Sequence, residues 1–371
     1  MIMVVLMVVG LISILVSSLN SSALQSARQE RTAAALAQAK SALVGRAASD
    51  DNMPGSLPCP DTDNDGSAEL FSGNNCPSYI GRLPWRTLKL PDLRDGSGER
   101  LWYALSTGFR NHSSAQPLNS NTKGTLLVYS ADGLSLQTEA GYDAVAVIFA
   151  PGSPLGSQTR KTVAQQNSAA NYLDTANSRN NTSASGPFIA GAKSDTFNDQ
   201  LLFITTRNLM PLVEQRVAAE LKQALINYYT INGYYPWADT VPQATDYDSN
   251  DGLNRGWIPN HALPVDWAGT FRPPQWFFDN QWYTLIYYSL ARDRKGPSSC
   301  TSCISDDLSV DGVAGVHGLF FMPGTPIGTL VRTVTTLSDY LENSENYDDA
   351  NDLYVTPTSQ AQDRDRLYRL P

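Results

Sequence analysis

The chain carries no charged residue before Arg28 and no run of lysines or arginines anywhere. It holds only three histidines, His112, His261 and His317, and four cysteines among 371 residues. Each shortage excludes something. With a net charge of −9, a pI near 4.8 and no basic stripe, the surface is unsuited to a phosphate backbone, and no nucleic-acid partner is expected. No HExxH, GxSxG or GxxxxGK pattern occurs, and His317 beside Gly318 reads as a structural histidine, so no enzymatic activity is expected. Charged residues make up only 17% of the chain while Gly, Pro, Asn, Ser and Tyr are plentiful, the texture of a loop-rich extracytoplasmic protein.

What is present starts with Met1 to Val16, almost continuously apolar, followed by the small and mildly polar Ser17 to Ala27. A helix over Met1 to Leu24 would be roughly 36 Å long, against a bilayer core of about 30 Å. From Gln25 to Asp50 there is no proline and a single glycine, Gly45, with alanine dominating, so nothing stops the helix. Leu36, Ala39, Leu43, Val44 and Ala47 recur at three- and four-residue spacing and make one apolar stripe. A cleaved signal peptide would want a basic start and a shorter apolar core, and a buried core helix would not be uncharged for so long. A plain single-span anchor is the other reading.

The run Met1 to Leu15, with its amphipathic continuation, resembles the N-terminal helix of the type IV pilin and type II secretion pseudopilin superfamily. Those proteins begin with a short basic leader, a Gly-Phe-type cleavage site and a glutamate. Met1 stands about where the residue after that glutamate would be. The likeness continues through Gly55-Ser56-Leu57-Pro58-Cys59-Pro60-Asp61 and Gly81-Arg82-Leu83-Pro84-Trp85-Arg86-Thr87-Leu88, similar to a loop of bacterial pseudopilin-like proteins, and covers the chain to about Arg110. The resemblance implies a single-pass inner-membrane protein whose globular region lies in the periplasm or on an extracellular filament. Implied partners are other pilin or pseudopilin subunits through the N-terminal helix, the inner membrane, and a prepilin peptidase if a leader exists.

The plan of the chain is stated twice. Ala42-Leu43-Val44 is echoed by Ala224-Leu225-Ile226, Gly55 to Pro58 by Gly233 to Pro236, and Gly81 to Pro84 by Gly256 to Pro259. Leu101 to Leu105 is echoed by Ile286 to Leu290, and Ser130 to Gly133 by Ser309 to Gly312. Phe149 to Gly156 matches Phe321 to Gly328, and Asn171 to Asp174 matches Asp339 to Glu342. Seven collinear matches predict a duplicated α+β unit. Strands are predicted at Thr125 to Tyr129, Ala144 to Phe149 and Leu201 to Thr205. A second helix is predicted from near Asn208, with Pro211 in its first turn and Val213, Val217, Leu221, Leu225 and Tyr228 on one face. Glu214, Arg216, Glu220 and Lys222 mark its wet side. The expected fold is therefore α+β, a long N-terminal helix with a membrane half and an amphipathic half. Two tandem pilin-like helix-on-antiparallel-sheet units follow, divided as 1–27, 28–206 and 207–371.

Asp61, Asp63 and Asp65 before Gly66 have the alternating spacing that wraps carboxylates round a calcium ion, with Glu69 as a further oxygen donor because Ser72 stands at the twelfth position. Asp246, Asp248, Asn250 and Asp251 form a second candidate loop; the competing reading of both is a solvated acidic turn. Cys59 with Cys76, and Cys300 with Cys303, read as local disulfides of an oxidising compartment. A redox role for Cys300 and Cys303, or zinc held by all four, fits the surrounding sequence less well. Trp267, Trp276 and Trp282 belong to a dense aromatic cluster that serves either packing or a binding surface. The function expected is a minor or tip subunit of a type IV pilus or type II secretion-type filament, assembled through its apolar helix. The alternative is a membrane-anchored or secreted, calcium-stabilised adhesin-like protein.

Overall fold

The computed structural model describes residues 2–113, 117–239, 254–259, 272–291, 308–333, 336–348, 351–357 and 364–371, with 2–21 described by their backbone. Helix α1 (Ile2–Ala48) leads into β1 (Ile80–Arg82), β2 (Trp102–Leu105), β3 (Val128–Tyr129), β4 (Ala144–Ala150) and the one-turn α2 (Val163–Gln166). Then come β5 (Thr175–Ala176), β6 (Arg179–Asn180), β7 (Phe188–Ile189), β8 (Gln200–Thr205) and α3 (Thr206–Asn232). The remainder is β9 (Arg255–Trp257), α4 (Gln275–Asp279), β10 (Tyr287–Leu290), β11 (Leu308–Val310) and β12 (Val313–Val316). It closes with β13 (Gly318–Met322), α5 (Ser344–Tyr347), β14 (Leu353–Tyr354) and β15 (Arg366–Leu370).

Two antiparallel four-stranded sheets carry the architecture, ordered β1-β2-β4-β8 and β9-β10-β13-β15. Strand for strand the two orders are the same. In the first sheet Trp102 faces Phe149 across β2 and β4; in the second Tyr287 faces Phe321 across β10 and β13. A short parallel pair flanks each sheet, β3 with β7 and β11 with β14. Even the isolated bridge before the first strand recurs, Asp61 opposite Arg82 and Asp239 opposite Trp257.

Along α1 the side chains from Ser22 to Arg31 are exposed, and burial starts at Thr32. Ala35, Leu36, Ala39, Leu43 and Ala47 then turn inward at helical spacing. Thr205 caps α3, which starts slightly ahead of the expected Asn208; Asn208 Oδ1 accepts from the Thr205 N–H at 3.2 Å. Gly233, at φ 77°, ends the helix in the left-handed region that glycine enters freely. The buried face of α3 includes Val213, Glu214, Val217, Ala218, Leu221, Leu225 and Tyr228, a wider arc than the single stripe of an outer helix.

That arc corrects the expected fold. The class is α+β, but two tandem pilin-like units, each a helix on its own sheet, are not what forms. Helix α3 packs against α1 and β8 of the first half as well as β15 of the second, and one continuous core runs from Ala35 to Leu370. Polar ties cross the same seam: Arg216 donates to the carbonyls of Ala48 and Asp50 at 3.0 and 2.6 Å, and Tyr142 Oη donates to the Pro326 carbonyl at 2.8 Å. Glu214, expected on the wet side, is buried because the covered arc of α3 extends past Val213 and Val217 to take it in, while Leu212, Gln215 and Ala219 stay open to solvent.

The expected inner-membrane, single-pass location is also corrected. Among the described residues no helix is long and apolar enough to cross a membrane. The described side chains of α1 include Gln25, Arg28, Gln29, Glu30, Arg31 and Lys40, each costly in hydrocarbon.

A shared core predicts cooperative loss of both halves. Leu221→Ala, at a fully buried α3 position, should cost about 2–5 kcal/mol. Circular dichroism and tryptophan fluorescence should report one coincident transition; two separate transitions would reject the shared core.

Candidate functional site

The acidic loop is built by a disulfide and by close backbone approach. Cys59 and Cys76 are bonded across 17 residues, tying down both ends of the segment that holds Asp61, Asp63 and Asp65. Backbone hydrogen bonds pair Asp61 with Arg82 on β1, Asp61 N–H donating at 3.0 Å and Arg82 N–H at 2.6 Å. Gly66 sits at φ 89°, and a Cβ there would stand 2.5 Å from the Trp85 ring, so only glycine closes this turn.

Within the loop, Asp61 accepts from the N–H of Asn64 at 2.6 Å and of Gly66 at 2.8 Å. Asp63 accepts from Asp65 N–H at 3.0 Å, and Asp65 from Ser67 N–H at 2.6 Å. One carboxylate oxygen from each of Asp61, Asp63 and Asp65 lies within 4.8 Å of the others. Oxygens bound to one calcium ion at about 2.4 Å stand at most about 4.8 Å apart, so the spacing fits a cation. Asp61 is buried while Asp63 and Asp65 are open to solvent. Burial, and then the neighbouring Asp63 and Asp65 charges, raise the Asp61 carboxyl above its ordinary value despite its two N–H donors. Glu69 is engaged elsewhere. Its Oε1 accepts from Thr62 N–H and Oγ1 at 2.9 and 2.6 Å, closing the base of the loop.

The second candidate loop, Asp246, Asp248, Asn250 and Asp251, lies outside the described residues, as do Cys300, Cys303 and Trp267. The sheet register makes Asp239, in Pro236-Trp237-Ala238-Asp239, the counterpart of Asp61 in Pro58-Cys59-Pro60-Asp61. Trp276 and Trp282 do not make a binding surface. They are 6% and 0% exposed, in the shared core, because α4 and the turn after it fold inward.

Sequence reasoning misses a polar module that occurs in both halves. In the first, Arg160 donates to the carbonyls of Asn171 and Gly152 at 2.8 and 3.1 Å and covers the Tyr172 ring at 4.0 Å. Asp174 N–H donates to Asp199 at 2.8 Å, and Asn198 N–H to Asp174 at 2.7 Å. In the second, Arg332 donates to the carbonyls of Asp339 and Gly324 at 3.2 and 2.5 Å and covers Tyr340 at 5.4 Å. Glu342 N–H donates to Asp365 at 2.9 Å, and Arg364 N–H to Glu342 at 3.1 Å. The Asn171-Tyr172-Leu173-Asp174 echo in Asp339-Tyr340-Leu341-Glu342, and that of Pro151-Gly152 in Pro323-Gly324, are its visible traces in the sequence. Nothing in spacing shows which arginine or later aspartate joins it.

No protein-family model, curated protein or solved structure matches the chain.

Two buried carboxyls make stability depend on pH. Burial, and then the Asp174 charge, push Asp199 from 3.8 up to about 8; burial pushes Glu214 from 4.5 up to about 7, against the opposing Ser120 hydroxyl. Both groups bind protons more tightly folded than unfolded, so their contribution is complete below about pH 4 and is lost as pH rises through 7 and 8. Melting temperature should fall between about pH 4 and 8, and Asp199→Asn with Glu214→Gln should flatten that fall; an unchanged slope in the double variant would refute the assignment.

Proposed function

We propose that the chain is a structural subunit of a pilin-like filament, of type IV pilus or type II secretion type, that assembles through its N-terminal helix. The observation that carries this reading is the reach of α1. Its 47 residues amount to about 70 Å of helix, yet among the described side chains, from Ser22 on, burial against the body starts only at Thr32. A helix has little reason to persist so far alone in water, since most helical stability comes from packing an apolar face. Leu24, 63% exposed, sits on the part of α1 whose described side chains are open to solvent. Neighbouring copies of the same kind of helix would supply a packing partner, as the resemblance of Met1 to Leu15 to pilin helices implies. The body would then form the outer face, and its bulk suits a minor or tip position.

A cysteine at position 24 should cross-link to another subunit in cells that assemble the filament. Leu24→Cys is compared with Leu70→Cys, an 86%-exposed body position. Adducts confined to position 24 support assembly through the helix; equal or absent cross-linking at 24 rejects it.

The acidic loop enters the same reading as a calcium-stabilised clamp held by Asp61, Asp63 and Asp65. Saturating calcium should raise the melting temperature by about 5 °C, the size expected when ligand is near a hundredfold above its Kd. Asp63→Ala with Asp65→Ala leaves the Asp61 hydrogen bonds in place and should abolish that rise. An unchanged melting temperature in the unaltered chain rejects calcium at this loop.

A further inference from the structure

Beside the acidic loop lies an open cleft of about 370 Å³ whose lining includes Arg82, Arg94, Arg100 and Arg160 with Glu99 and Tyr172. In a chain of net charge −9 this is an unusual concentration of positive charge. Two carboxylates answer the four guanidiniums. Asp92 is shared by Arg94 at 2.6 Å and Arg100 at 2.8 Å, and Glu99 meets Arg160 at 2.8 Å. These pairs hold two carboxylates for a cluster of four guanidiniums, beside the loop of Asp61, Asp63 and Asp65, and Arg82 is the arginine left out of them.

Arg82 is the most exposed to that imbalance in energetic terms, because it is only 4% accessible. It forms no ion pair among the described residues. Its Nη2 donates to the Gln166 carbonyl at 2.8 Å, its guanidinium lies 4.5 Å from the Tyr172 ring and 5.1 Å from Trp102, and its Nε has no partner. A buried cation without an anion costs several kcal/mol unless something compensates it.

The duplicate half shows that the scaffold does not need this charge. Trp257 occupies the register position of Arg82 and packs edge-on against Tyr340, the counterpart of Tyr172, at 4.6 Å. Arg332 covers Tyr340 much as Arg160 covers Tyr172. A neutral aromatic therefore fills the same place on the same framework, so the framework does not require an arginine there.

We propose that the cleft around Arg82 binds a small hydrophilic molecule through an oxyanion group, a carboxylate, sulfate or phosphate, set between Arg82, Arg94, Arg100 and Arg160. Guanidinium forks match the geometry of such groups, and the volume falls in the range of small-molecule sites. Asn64 links the cleft to the acidic loop, since Arg100 donates to its carbonyl and Oδ1 at 2.8 and 2.7 Å.

Titration calorimetry of the full chain in low-salt Tris buffer tests this, with inorganic phosphate, inorganic sulfate and glucuronate as probes and glucose as the uncharged control. At least one anion should bind and glucose should not; which anion binds best separates a phosphate, sulfate or carboxylate ligand. Arg82→Trp, copying the second half, should weaken binding 10- to 100-fold, and Arg94→Gln, at a partly exposed site, about tenfold. If Arg82→Trp does not fold, Arg94→Gln decides. No heat with any anion, or affinity unchanged in the folded variants, overturns the proposal.

Discussion

Everything in this protein depends on α3 being buried on more than one side. Leu209, Val213, Val217, Leu221 and Leu225 have no accessible surface, and the helix touches α1, β8 and β15 together. Each half taken alone would leave a wide apolar arc of that helix facing water. The halves are held by one core, and the polar ties from Arg216 and Tyr142 add direction to contacts that hydrophobic burial alone would leave unspecific.

On that common core the two halves keep one framework and differ in what they place on it. Strand order, the parallel flanking pairs and the arginine-over-tyrosine module recur, down to the carbonyls that each arginine reaches. The differences lie at the first strand of each sheet. Arg82 and the Cys59–Cys76 disulfide distinguish the first half, where the second has Trp257 and Trp237. A loop of carboxylates and a cleft lined by arginines thus stand side by side at the edge strand of one sheet, joined through Asn64.

Local pattern is readable where period and turn chemistry act within a few residues. Leu36, Ala39, Leu43 and Ala47 recur at helical spacing and are buried, and Ala144 to Phe149 reads as a strand and lies in β4. The Cys59–Cys76 bond follows from two cysteines close in sequence. Glu214 reads as solvent-facing because it is itself charged and shares the helix with Arg216, Glu220 and Lys222, while the elements that cover it, including the segment at Ser120, are remote in the chain. Trp276 and Trp282 are ambiguous in sequence for the same reason, since an aromatic cluster looks alike in a core and on a surface.

Composition and periodicity by themselves determined the helix-forming stretches, the internal echoes, the acidic loop and the disulfide that closes it, because each rests on residues near one another in the chain. Tertiary structure alone decided that the two halves share a core, that Asp239 rather than Asp246 answers to Asp61, and that the remote Arg160 joins Arg82, Arg94 and Arg100 beside two carboxylates. Those outcomes depend on which surfaces meet and how much charge is left over when they do, and neither quantity has a period that a linear sequence can display.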